Sequence, residues 1–402
     1  MAGNSFLFEA ESLWARQDKL FRDPAEIVGF GWRPDKLDPR LYQYEVIGRW
    51  WETLGDLGIT LLVTREYEHL LLSLHVDADS GPFVTMLGLP HPSGVAVDLS
   101  AGVVHVAATR NPNQIIDLMP VHGLQQRLDV NRDQLIDGNV LIPVRSRIFP
   151  GCLYIHDLAM VNSQLYANAV GQNAIIRLSN SGRHERVWWP KCIETAHGPI
   201  LEQNHLQLNS IAAGLSLETS FYSASTDEVT DRRPGDPAFP VDGRGVIFDG
   251  ATREPMARGL TRPHSARIYG DRIWVDNSGY GEVGFIESGR FVQISRLSGW
   301  TRGLCFHENV MFVGTSRVLP QFCGYAPGLD VESAKCGIHA LDVQTGRTLG
   351  TIIWPFGSQI FAVEWMPASF SKGLPFQPGD NSEGSGRNSL FYSFELNDFL
   401  EE

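Results

Sequence analysis

The strongest constraint on this chain is a degenerate internal repeat. A polar or histidine-containing start, a few residues of alternating apolar character, a tight turn and a second apolar strand recur along its length. The copies read HPSGVAVDLSAGVVHVAA from His91, HDLAMVNSQLYANAV from His156, LNSIAAGLSLETSFYSAS from Leu208, HSARIYGDRIWVDNS from His264 and TRGLCFHENVMFVGTS from Thr301. A sixth start falls near Gln359 in QIFAVEW. Measured at Ser93, Asp157, Asn209, Ser265, Arg302 and Ile360, successive starts lie 64, 52, 56, 37 and 58 residues apart. One such unit cannot bury both of its faces, so the units must pack against one another, and these intervals suit four-stranded blades with insertions. The expectation is an all-β chain forming a single β-propeller of six blades, with seven as the alternative. A jelly roll or stacked sandwiches would also give alternating strands, but not a recurrent start.

The shortest interval displays the unit most plainly. ARIYG, RIWVDN, EVGFIE and RFVQIS are four short strands separated by Gly270-Asp271, Gly279 to Gly281 and Ser288-Gly289. GIHALDVQTGRTLGTIIW from Gly337 carries the Asp342 to Gly346 turn of an outer hairpin. The start near Gln359 lacks outer strands, which Ile59 to Val76 supply if the two ends of the chain share a blade; Ser389 to Leu396 is expected in that blade or beside it. Before Gly58 the apolar positions Leu7, Phe8, Leu13, Trp14 and Leu20, then Leu41, Ile47, Trp50, Trp51 and Leu54, follow helical spacing. Residues 1–57 are therefore expected as a short helical N-terminal lead-in packed on the propeller, and residues 58–402 as the propeller closed by N- and C-terminal strands.

Charge and composition narrow the partners. The 46 acidic against 33 basic residues give a net charge of −13, which repels a phosphate backbone or an anionic membrane on average. Apolar runs such as Ile59 to Val63 and Leu70 to Leu74 fall far short of the roughly 20 residues that span a bilayer. Met1 to Ser12 has neither the basic start nor the apolar block of a signal peptide. Cys152, Cys192, Cys305, Cys323 and Cys336 form no CxxC pair and suit reduced, structural thiols. A cytoplasmic protein acting on small molecules, without nucleic acid or membrane partners, is the expectation.

RPHSAR at Arg262, RIWVDNSGYGEVG at Arg272, SGWTRGLCF at Ser298, FVGTSR at Phe312 and CGIHALDVQTG at Cys336 stand in one order. Together with HDLAM at His156 and HLQLNSIA at His205, they make the chain resemble an uncharacterised bacterial family of conserved hypothetical β-propeller proteins. Its members carry PHSPR, LWxxNSGxGE, RGLAF and CGxxxxDxxTG signatures. The resemblance runs from about Gly58 to about Pro367 and implies the fold, but it brings no catalytic residues with it. Ala266 stands where a proline is usual in that family, and the tracts Glu194 to Asn204 and Glu228 to Gly243 are individual to this chain.

In a propeller the starts of the innermost strands converge at one mouth of the central channel. His91, His156, Asp157, His205, Asn209, His264, Ser265 and Arg302 occupy or adjoin such starts. His156, His205 and His264 are the candidate ligands of a divalent transition metal, through neutral imidazoles. Asp157 and His91 are the candidate acid and base, Arg302 the clamp for an anionic group, and Asn209 and Ser265 the hydrogen-bonding contacts to substrate. The expected function is a metal-dependent lyase, isomerase or hydrolase acting on a small polar or anionic metabolite. The competing expectation is a non-catalytic propeller that offers its rim loops, Glu194 to Asn204 and Glu228 to Gly243, to a protein or peptide. Asp129 to Asp133 opens like a calcium loop but has Gln134 and Val140 where glycine and glutamate are needed. SGYGEVG precedes no helix and reads as a hairpin turn, and Trp188-Trp189 reads as core. GxSxG, HExxH and paired CxxC motifs are absent.

Overall fold

The computed structural model describes residues 38–110, 113–121 and 139–376. Apart from a two-stranded pair, Glu194–Thr195 with Gly198–Pro199, its strands form six antiparallel sheets, the blades of a propeller. Blade 2 runs Pro92–Asp98, Val103–Ala108, Asn113–Val121 and Val140–Phe149 from the channel outward. Blade 3 is Ile155–Val161, Gln164–Ala169, Ala174–Leu178 and His184–Trp188. Blade 4 is Leu208–Ala212, Phe221–Ala224, Gly245–Asp249 and Pro255–Leu260. Blade 5 is Pro263–Tyr269, Arg272–Asn277, Glu282–Glu287 and Arg290–Arg296, and blade 6 is Trp300–His307, Val310–Ser316, Gly337–Asp342 and Thr348–Ile353. Blade 1 closes the ring. Its innermost strand, Ala362–Pro367, comes from the far end of the described chain and pairs antiparallel with Ile59–Arg65, followed outward by Leu70–Asp77 and Gly81–Gly88. This is the closure expected of Ile59 to Val76; Ser389 to Leu396 and Asp129 to Asp133 lie outside the described residues.

A sheet with two apolar faces needs a neighbour on each side, and the core is accordingly a ring of wedges. Leu62, Leu71 and Val95 fill the wedge between blades 1 and 2, and Leu158, Ile115 and Ile176 that between blades 2 and 3. Trp188, Tyr222 and Phe248 fill the next, confirming Trp188 as core; its indole Nε1 donates to the Gly250 carbonyl at 2.8 Å. Two further wedges centre on Ile247 with Val275, and on Trp274 with Phe306. The last, between blades 6 and 1, takes Trp50 and Leu54 from the helix Trp50–Asp56. Gly350 permits that docking, since a Cβ there would stand 2.3 Å from the Trp50 nitrogen.

The helical spacing drawn through Leu41, Ile47, Trp50, Trp51 and Leu54 resolves into three elements: a 3-10 turn at Pro39–Tyr42, a strand at Glu45–Gly48 and the helix. The strand adds a fifth member to blade 6 by pairing with Thr348–Ile353. Short-range periodicity cannot separate these, because Ile47 is set by an outer-strand partner some three hundred residues away. Leu7 to Leu20 lie outside the described residues. Among the described residues no helix is long and apolar enough to cross a membrane, and all five cysteines are free thiols.

Candidate functional site

Each innermost strand starts at the same mouth of the channel, and the link from second to third strand of every blade returns to it. These starts and links enclose a cavity of ≈ 390 Å³. Glu66 and Tyr67 reach it from the blade 1 link, Arg110 from blade 2, Pro234 from blade 4, and Arg317 to Tyr325 from blade 6.

Two backbone features recur at the strand starts. The residue before the innermost strand of blades 2, 3, 4 and 5 is His91, Tyr154, Gln207 or Arg262, and each is left-handed, with φ of 43°, 55°, 49° and 52°. For side chains other than glycine this costs about 1–2 kcal/mol apiece, and it persists only where the surroundings enforce it. Three of the four, Tyr154, Gln207 and Arg262, are thereby thrown onto the cavity wall. The innermost strands of blades 2 to 6 also carry one extra residue near their starts, a bulge opposite the second strand. A bulge reverses which face a residue occupies, so alternation read from the strand interior misassigns its start.

The expected site residues divide accordingly. His156, His264 and Arg302 line the cavity. Asp157 does not: it forms a two-pronged ion pair with Arg267, at 2.8 and 3.2 Å, and accepts the Ile211 amide at 3.0 Å. Its carboxylate is consumed in tying blade 3 to blades 4 and 5. Asn209 donates to the Pro263 carbonyl at 2.9 Å and Ser265 accepts the Gly303 amide at 2.8 Å, so both are also links between blades rather than contacts of the cavity. Ser93, donating to the Ile155 carbonyl at 2.9 Å, belongs to the same set. His91 is buried behind the wall, its Nδ1 3.5 Å from Glu66 Oε1 and its ring 4.3 Å from that of His69. His205 stands three residues before its strand and is not part of the wall; its amide donates to Asn173 Oδ1 at 2.9 Å. Among the described residues no three His, Cys, Asp or Glu side chains gather into a metal-holding cluster. His156, His205 and His264 therefore do not make the expected metal triad.

Arg302 is the distinctive group of the cavity. Its guanidinium lies 3.2 Å from the centroid of the Phe361 ring, and among the described residues it has no ion pair. Burial lowers its pKa to about 10, with Glu66, Tyr67 and Tyr154 pulling the other way. Arg262 lies 4.0 Å over the Tyr325 ring, bonded to Gln207 and to the Pro234 carbonyl, and burial likewise takes it to about 10. Glu66 accepts from Arg110 Nε at 3.1 Å. Burial would raise its pKa, but Arg110, His91 and Arg302 outweigh that and hold it at about 2.

The two cavity histidines are neutral. Burial, reinforced by Arg302, lowers His156 to about 3 and takes His264 well below its ordinary value. His264 Nδ1 sits 2.9 Å from the Arg262 carbonyl, which only accepts, so Nδ1 carries the proton and Nε2 keeps the lone pair. Ser278 Oγ, which donates to the Thr301 carbonyl at 2.6 Å, lies 3.0 Å from the same Nδ1 and helps fix the ring. Asp276, opposite His264 across the sheet, is fully buried, and burial pushes its carboxyl well above the ordinary range.

Sequence reasoning missed Glu66, Arg110, Tyr154, Arg262, Tyr325 and Phe361. The signal for Tyr154 and Arg262 was position, the residue just before a repeat start. Phe361 holds the same position before the innermost strand of blade 1, whereas Glu66, Arg110 and Tyr325 sit on links whose lengths vary between blades.

The solved structures that resemble this chain include one from a nidogen/laminin complex, at 10% identity over 78% of this chain and 99% of that one, with a TM-score of 0.49. XC5397 from Xanthomonas campestris, described as a gluconolactonase, matches at 14% identity over 74% and 86% of the two chains, with a TM-score of 0.42. Virginiamycin B lyase from Staphylococcus aureus matches at 13% identity over 68% and 96%, with a TM-score of 0.34. Likenesses of this size assign neither substrate nor catalytic residues. No curated protein matches the chain. A family model does match, over residues 48–372, nearly the whole described ring, in keeping with the resemblance to an uncharacterised family. The chain thus belongs to the family described as "Domain of unknown function (DUF4915)".

Proposed function

We propose that the protein is an enzyme that binds a small anionic metabolite at this mouth of the channel and moves a proton on it. The observation that carries the reading is Arg302, a cation held against Phe361 at the cavity wall with no ion pair among the described residues. A poorly compensated guanidinium in a partly dry site favours an anion that can take its planar fork of N–H donors. His264 supplies the second function. With Nδ1 committed as a donor, Nε2 is a base at neutral pH. Burial is the main cause that depresses His264 and the field of Arg302 adds to it; an anion on Arg302 offsets that second part, so binding the ligand strengthens the base.

Lyase, isomerase and hydrolase reactions all contain such a proton transfer. Among the described residues the three expected metal ligands do not converge, so the proton transfer falls to the side chains of the wall. The alternative, a partner-binding propeller, is weighed against the contribution of Asn204, Pro234 and Gly235 to the cavity wall, which gives the rim tracts an inward task.

The test is to incubate the purified protein with a mixture of small organic acids and phosphate esters and follow the depletion of each compound by liquid chromatography with mass spectrometry, which separates isomers of one mass. Depletion of one compound by the wild type, abolished in His264→Gln while that compound still raises the melting temperature, is expected. If compounds that stabilise the protein are never consumed, the site binds without catalysis.

A further inference from the structure

The cavity wall says more about the ligand than its sign. Four arginines, Arg110, Arg262, Arg302 and Arg317, line the cavity, and among the described residues Glu66 is the one carboxylate of the wall, while Arg262 and Arg302 make no ion pair. Glu66 is already engaged by Arg110 and adjoined by His91, and the two histidines bring no charge. A single carboxylate on the ligand would leave one of the two charges of Arg262 and Arg302 uncompensated.

Three of the arginines lie over aromatic rings of the same wall: Arg302 over Phe361, Arg262 over Tyr325 and Arg110 over Tyr154, at 3.2, 4.0 and 6.0 Å. Stacking occupies the face of a guanidinium and fixes its plane, leaving the in-plane N–H groups to point at a ligand. Arg262 spends its terminal nitrogens on Gln207 and Pro234, whereas among the described residues no hydrogen bond takes up the fork of Arg302. Tyr67, Trp300 and Phe322 add flat apolar surface to the wall. The volume, ≈ 390 Å³, lies toward the small end of the range for metabolite pockets and suits one ring with its substituents rather than a dinucleotide.

We infer that the ligand is a phosphate monoester carried on a single flat or ring-shaped body, its dianionic group on Arg302 and its ring against the aromatic wall. This rests on the anion-site reading above and deepens it. A phosphate monoester offers up to two charges and three acceptor oxygens at one point, which answers a cluster of cations better than a carboxylate does.

Calorimetric titration of the whole protein with phenyl phosphate, phenyl sulfate, inorganic phosphate and phenol separates the parts of the claim. Phenyl sulfate has nearly the shape of phenyl phosphate but stays a monoanion. At pH 7.5 phenyl phosphate is expected to bind at least about tenfold more tightly than the other three, by the balance of charge and ring contact. Between pH 7.5 and 5 its affinity is expected to fall about tenfold, as the group with a pKa near 6 takes up its second proton. Across that window the arginines stay cationic, Glu66 stays ionised, and His156 and His264 stay neutral. Phenyl sulfate reports any titration of the protein itself, and its affinity is expected to hold steady. Arg302→Met, with its fold checked by circular dichroism, should abolish binding of phenyl phosphate.

Equal binding of phenyl sulfate and phenyl phosphate would overturn the dianion while leaving the anion site standing. Equal binding of inorganic phosphate and phenyl phosphate would overturn the ring. Absence of binding by every anion to folded protein would remove the anion site, and both readings with it.

Discussion

Replacing Glu68 by alanine strips the partner from an arginine that has no access to water. Arg65 and Glu68 are both 0% exposed, with Nη2 3.1 Å from Oε1. The same oxygen accepts the Ser358 amide at 2.6 Å, the Ser358 hydroxyl at 2.7 Å and the Gln359 amide at 3.3 Å. Arg65 Nη1 donates to the Leu41 carbonyl at 2.7 Å, and its guanidinium lies 5.4 Å from the Trp354 ring centroid. Glu68 thus ties blade 1's second-to-third-strand link to the segment that enters its innermost strand, where the two ends of the described chain meet.

Removing one member of a buried ion pair destabilises by about 3–5 kcal/mol, because the remaining charge cannot be solvated. Against a total stability of about 5–15 kcal/mol this is a large fraction. Urea unfolding of Glu68→Ala at pH 7 should show that loss as a lowered midpoint with little change in slope. The double variant Arg65→Met, Glu68→Leu removes both charges and should recover most of it. Because Phe361 follows Ser358–Ile360 directly, Glu68→Ala should also weaken ligand binding at Arg302. A single variant within about 1 kcal/mol of wild type, or a double variant no better than the single, would refute the reasoning.

Arg302→Lys keeps the charge but loses the planar fork; the melting temperature should stay close to wild type while affinity for an anionic ligand falls by about tenfold, measured by calorimetry. Asp157→Asn should do the reverse, losing about 3 kcal/mol or more in urea with ligand affinity unchanged, since its Arg267 partner is left without its charge. Acid should destabilise the fold early. His69 and His156 are held at about 3, against an ordinary 6.5, and burial holds His264 well below that ordinary value too, so the unfolded chain takes up protons that the folded one refuses. Stability should therefore fall as pH drops from 6.5 toward 3, by about 1.4 kcal/mol per pH unit for each such histidine, and His156→Gln should flatten the slope of urea midpoint against pH by that amount. The Glu66 contribution, present above 4.5, is lost as pH falls toward its folded value of about 2, so it acts in the same direction.

The architecture was legible because blades repeat. Blade 5 is written almost without insertions, and the orphan strand after Gln359 needed partners that only Ile59 to Val76 had free. The outer strand Glu45–Gly48 was not legible, since four residues carry too little pattern to outweigh the helical spacing around them. At the site, the strand starts were located correctly, but the residues facing inward were not all identifiable. The bulges at the starts of blades 2 to 6 displace the alternation by one, so in blade 3 His156 faces the cavity while Asp157 turns to its neighbours. Polar residues such as Asn209 and Ser265 recur there for a structural reason, the hydrogen bonds that join one blade to the next. Tyr154 and Arg262 reach the cavity through left-handed backbone, which a sequence without glycine at those positions does not advertise.

The central claim is that the mouth of the channel lined by Arg302 binds an anion. It is tested most directly by measuring the melting temperature of wild type and of Arg302→Met against matched pairs of small anions and their neutral analogues. Anions, and not their neutral analogues, are expected to raise the melting temperature of the wild type, and the rise is expected to disappear in Arg302→Met. A rise of equal size in the variant, or equal responses to charged and neutral members of each pair, would contradict it.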